Sequence, residues 1–250
     1  MSMVSATSNI GSLSFDKFVA NYLDEVRYEL IDGELIDLEP TGLHEQVAGL
    51  INRKLNVAID LLNLPWFIPM KCLIQPLGQN SAFRPDIVIL DRQALGNRLL
   101  AEVGKRVRGK GERFGIFPFP FNLFPFPTSC KSAFCKRSNE PLWKTEPVIT
   151  LGKSVKLVVE VVSTNWQNDY ARKVEDYEAM GIPEYWIADY LGLGGKRYIG
   201  SSKQPAITIY QLIDGIYQGQ QFRRTERLLS QTFPNLSLTA EEIFAAGRSS

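Results

Sequence analysis

A chain of 250 residues, 44% of them apolar, is long enough to bury one sizeable core without covalent staples. A net charge of +1 excludes a broad, sequence-independent attraction to nucleic acid. No run approaches the roughly eighteen apolar residues of a membrane span, and the N-terminus lacks the layout of a secretory leader, so a cytoplasmic protein without a membrane partner is expected.

After a polar leader, residues 1–11, Ser14 offers an N-cap to a short amphipathic helix in SFDKFVANYLDE. In RYELIDGELIDLEP, Asp32-Gly33 is a two-residue turn between alternating strands and predicts a β-hairpin. From His44 onward, Leu50, Ile51, Leu55, Ile59 and Leu62 recur at helical spacing. WFIPMKCLIQP reads as one or two strands, followed by a Gly/Asn/Ser turn at 78–81. The apolar strand Ile87–Leu90 comes next, headed by Pro85 and Asp86.

The following stretch breaks this pattern. GERFGIFPFPFNLFPFPTSCKSAFCKR alternates Phe and Pro, and Pro118, Pro120, Pro125 and Pro127 deny ladder donors and forbid a helix. Residues 96–139 hold nine Lys/Arg and two Asp/Glu, so the rest of the chain is acidic, with 19 basic residues against 25 acidic ones. Residues 96–138 are therefore read as a low-complexity insertion, a mobile surface segment. A basic, aromatic arm that stacks on nucleic acid is the alternative.

Beyond it, VKLVVEVV (155–162) is a nearly continuous β-branched run, as a central strand should be, except that it contains Glu160. NDYARKVEDYEAMG is a helix ended by Gly181 and Pro183, and EYWIAD is a strand. AITIYQLIDGIYQGQQFR forms two strands around Asp214-Gly215. Thr239 and Glu242 then box the start of a last helix in TAEEIFAA. Helices and strands are mixed within a single α+β or α/β domain formed by residues 12–95 and 139–246.

The candidates for chemistry are Asp86, Glu160 and Lys173. If the strands bearing the two acids are antiparallel neighbours, four steps back from Leu90 and four on from Lys156 set Asp86 opposite Glu160. Two ionised carboxylates about 4 Å apart repel by roughly 4 kcal/mol at an effective dielectric of about 20, so one is protonated or a cation lies between them. Mg²⁺, with Mn²⁺ as the alternative, suits such oxygen donors. Asp169 and Lys173 lie four apart on the following helix, which brings the lysine near the strand's end. The bland readings are a turn-capping Asp86 and a surface Lys173, whereas Glu160 needs a partner because an unpaired charge in an apolar strand is costly. His44 reads as an ordinary helix-start residue. Glu29, Asp32 and Glu34 read as hairpin residues, with Glu34 the one that could face the site, and Glu184 and Asp189 as structural. Cys72, Cys130 and Cys135, with no Cys-x-x-Cys pair and a single histidine in the chain, speak against a zinc site or a disulfide framework.

RYELIDGELIDLEPTGLHE, RPDIVILD, LVVEVVSTNWQNDYARKVEDY and GIPEYWIAD together resemble the Uma-type restriction-endonuclease family of the PD-(D/E)XK nuclease superfamily. The resemblance implies a restriction-endonuclease-like αβββαβ core, a mixed sheet flanked by helices, with an N-terminal hairpin. It also implies a Mg²⁺-dependent endonuclease that hydrolyses DNA through a metal-activated water, with a homodimer as a further expectation. Asp86 matches the family's Pro-Asp and Glu160 its acidic strand residue, both as metal ligands. The motif's lysine position is Val162 here, and its displaced counterpart is Lys173; Glu45 resembles the additional helix acid that supports the metal. The rival readings are a binding protein of this fold without catalysis and a copy impaired by the insertion.

Overall fold

A computed structural model describes residues 12–38, 40–76, 78–95 and 142–248. The leader at 1–11 and the Phe/Pro-rich insertion at 96–138 lie outside the described residues. Helix α1 (Phe15–Tyr22) is capped by the Ser14 hydroxyl, which accepts from the Lys17 N–H. Strands β1 (Tyr28–Ile31) and β2 (Glu34–Asp37) then pair across Asp32 and Gly33, at φ 50° and 85°. A two-residue turn of this hand needs positive φ at both positions, which Asp and Gly tolerate.

Six strands form the main sheet, in the order β10 (Ile216–Phe222), β9 (Ala206–Ile213), β8 (Glu184–Asp189), β7 (Val155–Val161), β5 (Ile87–Asp91), β3 (Trp66–Phe67). Strand β7 (Val155–Val161) lies inside it, antiparallel to β5 (Ile87–Asp91) and parallel to β8 (Glu184–Asp189). Apart from the half-buried Lys156, its residues are buried on both faces, which accounts for its mostly apolar sequence. On one face α2 (Gly42–Leu61) inserts Val47, Ile51, Leu55 and Ile59, joined by α5 (Ala240–Ala246) through Ile243 and Phe244. On the other, a π-helical turn (Asn168–Arg172) leads into α3 (Lys173–Ala179), and Tyr170 of the turn and Tyr177 of the helix pack with Val158, Tyr185 and Ile187. The short α4 (Lys196–Ile199) adds Ile199 to that side. Each fully buried aliphatic residue contributes roughly 1.5–3 kcal/mol, so the two layers hold the sheet between them.

The last hairpin, β9 (Ala206–Ile213) and β10 (Ile216–Phe222), turns at Asp214-Gly215 and extends the sheet beyond β8. Thr239 and Glu242 exchange both capping-box hydrogen bonds. The segment WFIPMKCLIQP divides: β3 (Trp66–Phe67) joins β5 in the main sheet, whereas β4 (Leu73–Ile74) pairs with β6 (Val148–Ile149). Those two residues of β6 carry no periodicity of their own, and the strand exists through tertiary pairing. Leu73 and Val148 form a third cluster with Phe15, Phe18 and Leu30, docking α1 and the first hairpin onto the core.

Arg84 fixes this docking. Its Nε donates to the Tyr28 carbonyl at 2.7 Å and its Nη2 to those of Tyr22 and Leu23, at 2.7 and 2.8 Å. Arg84→Met is expected to lower stability by about 2–3 kcal/mol through these lost charge-assisted bonds, measured by urea unfolding; an unchanged midpoint would contradict it. Among the described residues no helix is long and apolar enough to cross a membrane.

Candidate active site between the central strands and two helix starts

Strand β5 begins where β7 ends. Ile87 pairs with Val159, so Asp86 lies one step further along, at the position opposite Glu160, as residue counting predicts. Away from the site the count fails, because a bulge shifts Leu90 onto Val155 in place of Lys156. Asp86 is not a turn cap. Its Oδ2 accepts the Val161 backbone N–H at 2.7 Å, binding the mouth of β5 to the end of β7.

Glu160 is 3% exposed. Its Oε1 accepts from the Tyr177 hydroxyl at 2.9 Å and lies 3.2 Å from Lys173 Nζ. Lys173, far from being a surface lysine, is 2% exposed. Its ammonium also lies 3.1 Å from Asp169 Oδ1 and 3.3 Å from Glu29 Oε2, so three carboxylates surround one cation. Burial opposes the charge on Lys173, but Glu160, Glu29 and Asp169 outweigh it and raise its pKa well above the ordinary value. Burial raises Glu160 well above the carboxylate range; Lys173 opposes this, and Asp169, Asp86 and Glu29 add to it. Asp169 is pushed up to about 6, chiefly by burial, with Lys173 again opposing and Glu29 adding.

The first turn of α2 forms the opposite wall. Thr41 caps it by accepting from the His44 N–H, and His44 turns inward with 7% of its side chain exposed. Its Nε2 lies 3.0 Å from the Val161 carbonyl oxygen and 3.5 Å from Asp86 Oδ1. Burial works against the imidazolium, but Asp86, the Val161 carbonyl and Glu45 prevail and raise it to about 9. Glu45 is different. Its side chain is 64% exposed at the rim, 3.7 Å from His44 Nδ1. The four acids Glu29, Asp86, Glu160 and Asp169, with His44, Glu45 and Lys173, line one cleft of about 290 Å³. Among the described residues, no group of three His, Cys, Asp or Glu side chains is set at metal-ligand geometry.

The structure thus brings Asp86, Glu160 and Lys173 together and leaves Glu45 at the edge. It adds Glu29, Asp169 and His44, which sequence reasoning assigned to a hairpin, to a helix pair and to a helix start. The hairpin acid that reaches the cluster is Glu29, not Glu34. Both lie on one face of the hairpin, but Glu34 is beside the turn and exposed. The signal for Glu29 was its place between Tyr28 and Leu30 in an otherwise apolar half-strand. Glu184 and Asp189 are structural: Glu184 accepts from Trp186 Nε1 and the Thr232 N–H, and Asp189 from the Leu193 and Gly194 N–H groups.

A family model, Uma2, described as "Putative restriction endonuclease", matches residues 15–113 and 132–241. The break in that match falls within the Phe/Pro-rich stretch. A crystal structure from Anabaena variabilis, described as "a putative nuclease belonging to DUF820", superposes with a TM-score of 0.56 at 12% identity, covering 94% of this chain and 99% of that one. At that identity the likeness establishes the mixed α+β fold alone. No curated protein matches the chain.

Proposed function

The chain belongs to the Uma2 family, and from that membership together with the buried cluster we propose that it is a metal-dependent endonuclease hydrolysing DNA phosphodiester bonds. The observation that carries the reading is Lys173, buried among Glu29, Glu160 and Asp169 beside Asp86 in an open cleft. A structural ion pair needs one acid. Here four carboxylates converge on one lysine: burial raises the pKa of Glu160, Lys173 opposes the rise, and Asp169, Asp86 and Glu29 add to it.

That imbalance fits a divalent cation. The donors are carboxylate oxygens, which Mg²⁺ and Mn²⁺ favour over softer metals. Asp86 and Glu160 would hold the ion, with Glu45 supporting it from the rim. Once bound, it would supply Lewis-acid polarisation of the phosphate and a water acidic enough to attack. The protein's own groups do the rest. The Val161 N–H fixes the Asp86 carboxylate, and the Tyr177 hydroxyl and Lys173 fix that of Glu160. Lys173 stays charged at every ordinary pH, so it takes no proton from water. It acts through its field, stabilising negative charge that builds on the phosphate during attack.

Purified protein is expected to nick supercoiled plasmid with Mg²⁺ or Mn²⁺ and to stop when EDTA removes the ion. A folded protein that binds DNA but never cleaves it with either metal would overturn the catalytic reading in favour of a binding role.

A further inference from the structure

We propose that His44 is a positioning residue of this site, holding the Asp86 carboxylate and the Val161 peptide in one fixed arrangement from the first turn of α2. It deepens the nuclease reading, which supplies what the arrangement serves. Nε2 faces two acceptors, the Val161 carbonyl at 3.0 Å and Asp86 Oδ1 at 3.5 Å, so that nitrogen carries a hydrogen. The Val161 N–H in turn donates to Asp86 Oδ2 at 2.7 Å. Imidazole, peptide and carboxylate therefore close a ring of contacts that joins α2, the end of β7 and the entry to β5.

The other ring nitrogen makes no comparable contact. Nδ1 is buried without a hydrogen-bond partner, and Glu45 Oε1 lies 3.7 Å away, beyond hydrogen-bond reach. The polar work of this side chain is thus done at Nε2. An apolar residue would fill the same space but leave the carboxylate tethered by one oxygen. Groups that orient a ligating carboxylate in this way alter ion affinity without touching the ion.

His44 is the only histidine in the chain, so ¹⁵N-histidine labelling reports on this ring alone. The expected spectrum has a slowly exchanging Nε2–H whose resonance moves in Asp86→Asn. An unmoved resonance in that variant overturns the proposal. Calorimetric titration with Mn²⁺ then compares His44→Phe, which keeps the ring's bulk but loses the donor, with His44→Gln, whose amide returns a donor at similar reach. With both folded, as judged by melting, Phe is expected to weaken Mn²⁺ binding by roughly 10- to 100-fold and Gln by no more than about 3-fold. Equal affinity for the Phe variant and the wild type, or equal loss in both variants, overturns the proposal. If the wild type binds no Mn²⁺ while the Asp86→Asn shift is present, the metal reading fails and the positioning of Asp86 by His44 stands.

Discussion

Lys173→Met is expected to destabilise the fold by about 3–5 kcal/mol, the usual range when one partner of a buried ion pair is removed. Methionine fills nearly the same volume, so packing explains little of the loss. The charge explains it. Lys173 Nζ lies 3.1–3.3 Å from Asp169, Glu160 and Glu29, which are 7%, 3% and 1% exposed, and its removal leaves three buried carboxylates without their common cation. Each must then ionise against its neighbours or take up a proton. Urea unfolding at neutral pH measures the effect. Adding Glu160→Gln to the variant is expected to recover part of the loss, because a neutral amide needs no proton to remain in the buried site and keeps an acceptor for the Tyr177 hydroxyl. A Lys173→Met protein as stable as the wild type would mean that Lys173 balances no buried negative charge and that the charge account of the cluster is wrong.

Asp86→Asn is expected to abolish metal-dependent cleavage while leaving the fold intact. The amide oxygen can still accept the Val161 N–H, so the link between β5 and β7 survives. What disappears is the negative charge on the side of the cleft where the ion is proposed to bind. Loss of a ligating carboxylate forfeits on the order of 4 kcal/mol of transition-state stabilisation, about a thousandfold in rate. Plasmid nicking and thermal melting, run on the same preparation, separate the two effects. Undiminished nicking by a folded Asp86→Asn protein would remove Asp86 from the proposed mechanism.

Much of this architecture could be read residue by residue. Both Asp-Gly turns and the Thr239/Glu242 capping box follow from signals confined to a few neighbouring positions, and the helix from His44 follows from the spacing of its apolar residues. The pairing of Asp86 with Glu160 followed too, because register at the site end is set by a count along two strands, and the bulge lies at the other end. The pairing of β4 with β6 did not follow. Each has two residues, and neither carries a pattern of its own.

By itself, then, the sequence determined the order of the elements other than β6 and α4, the central place of β7 and the pair of acids at its mouth, since periodicity and turn chemistry act within a window of about a dozen residues. Only the tertiary structure decided what surrounds that pair. Glu29 comes from a hairpin, Asp169 and Lys173 from the start of a helix beyond β7, and His44 reaches a carbonyl 117 positions away. No local signal encodes such distances. They arise because the apolar layers on the two faces of the sheet fix where each element begins, and with it where its first charged side chain must lie.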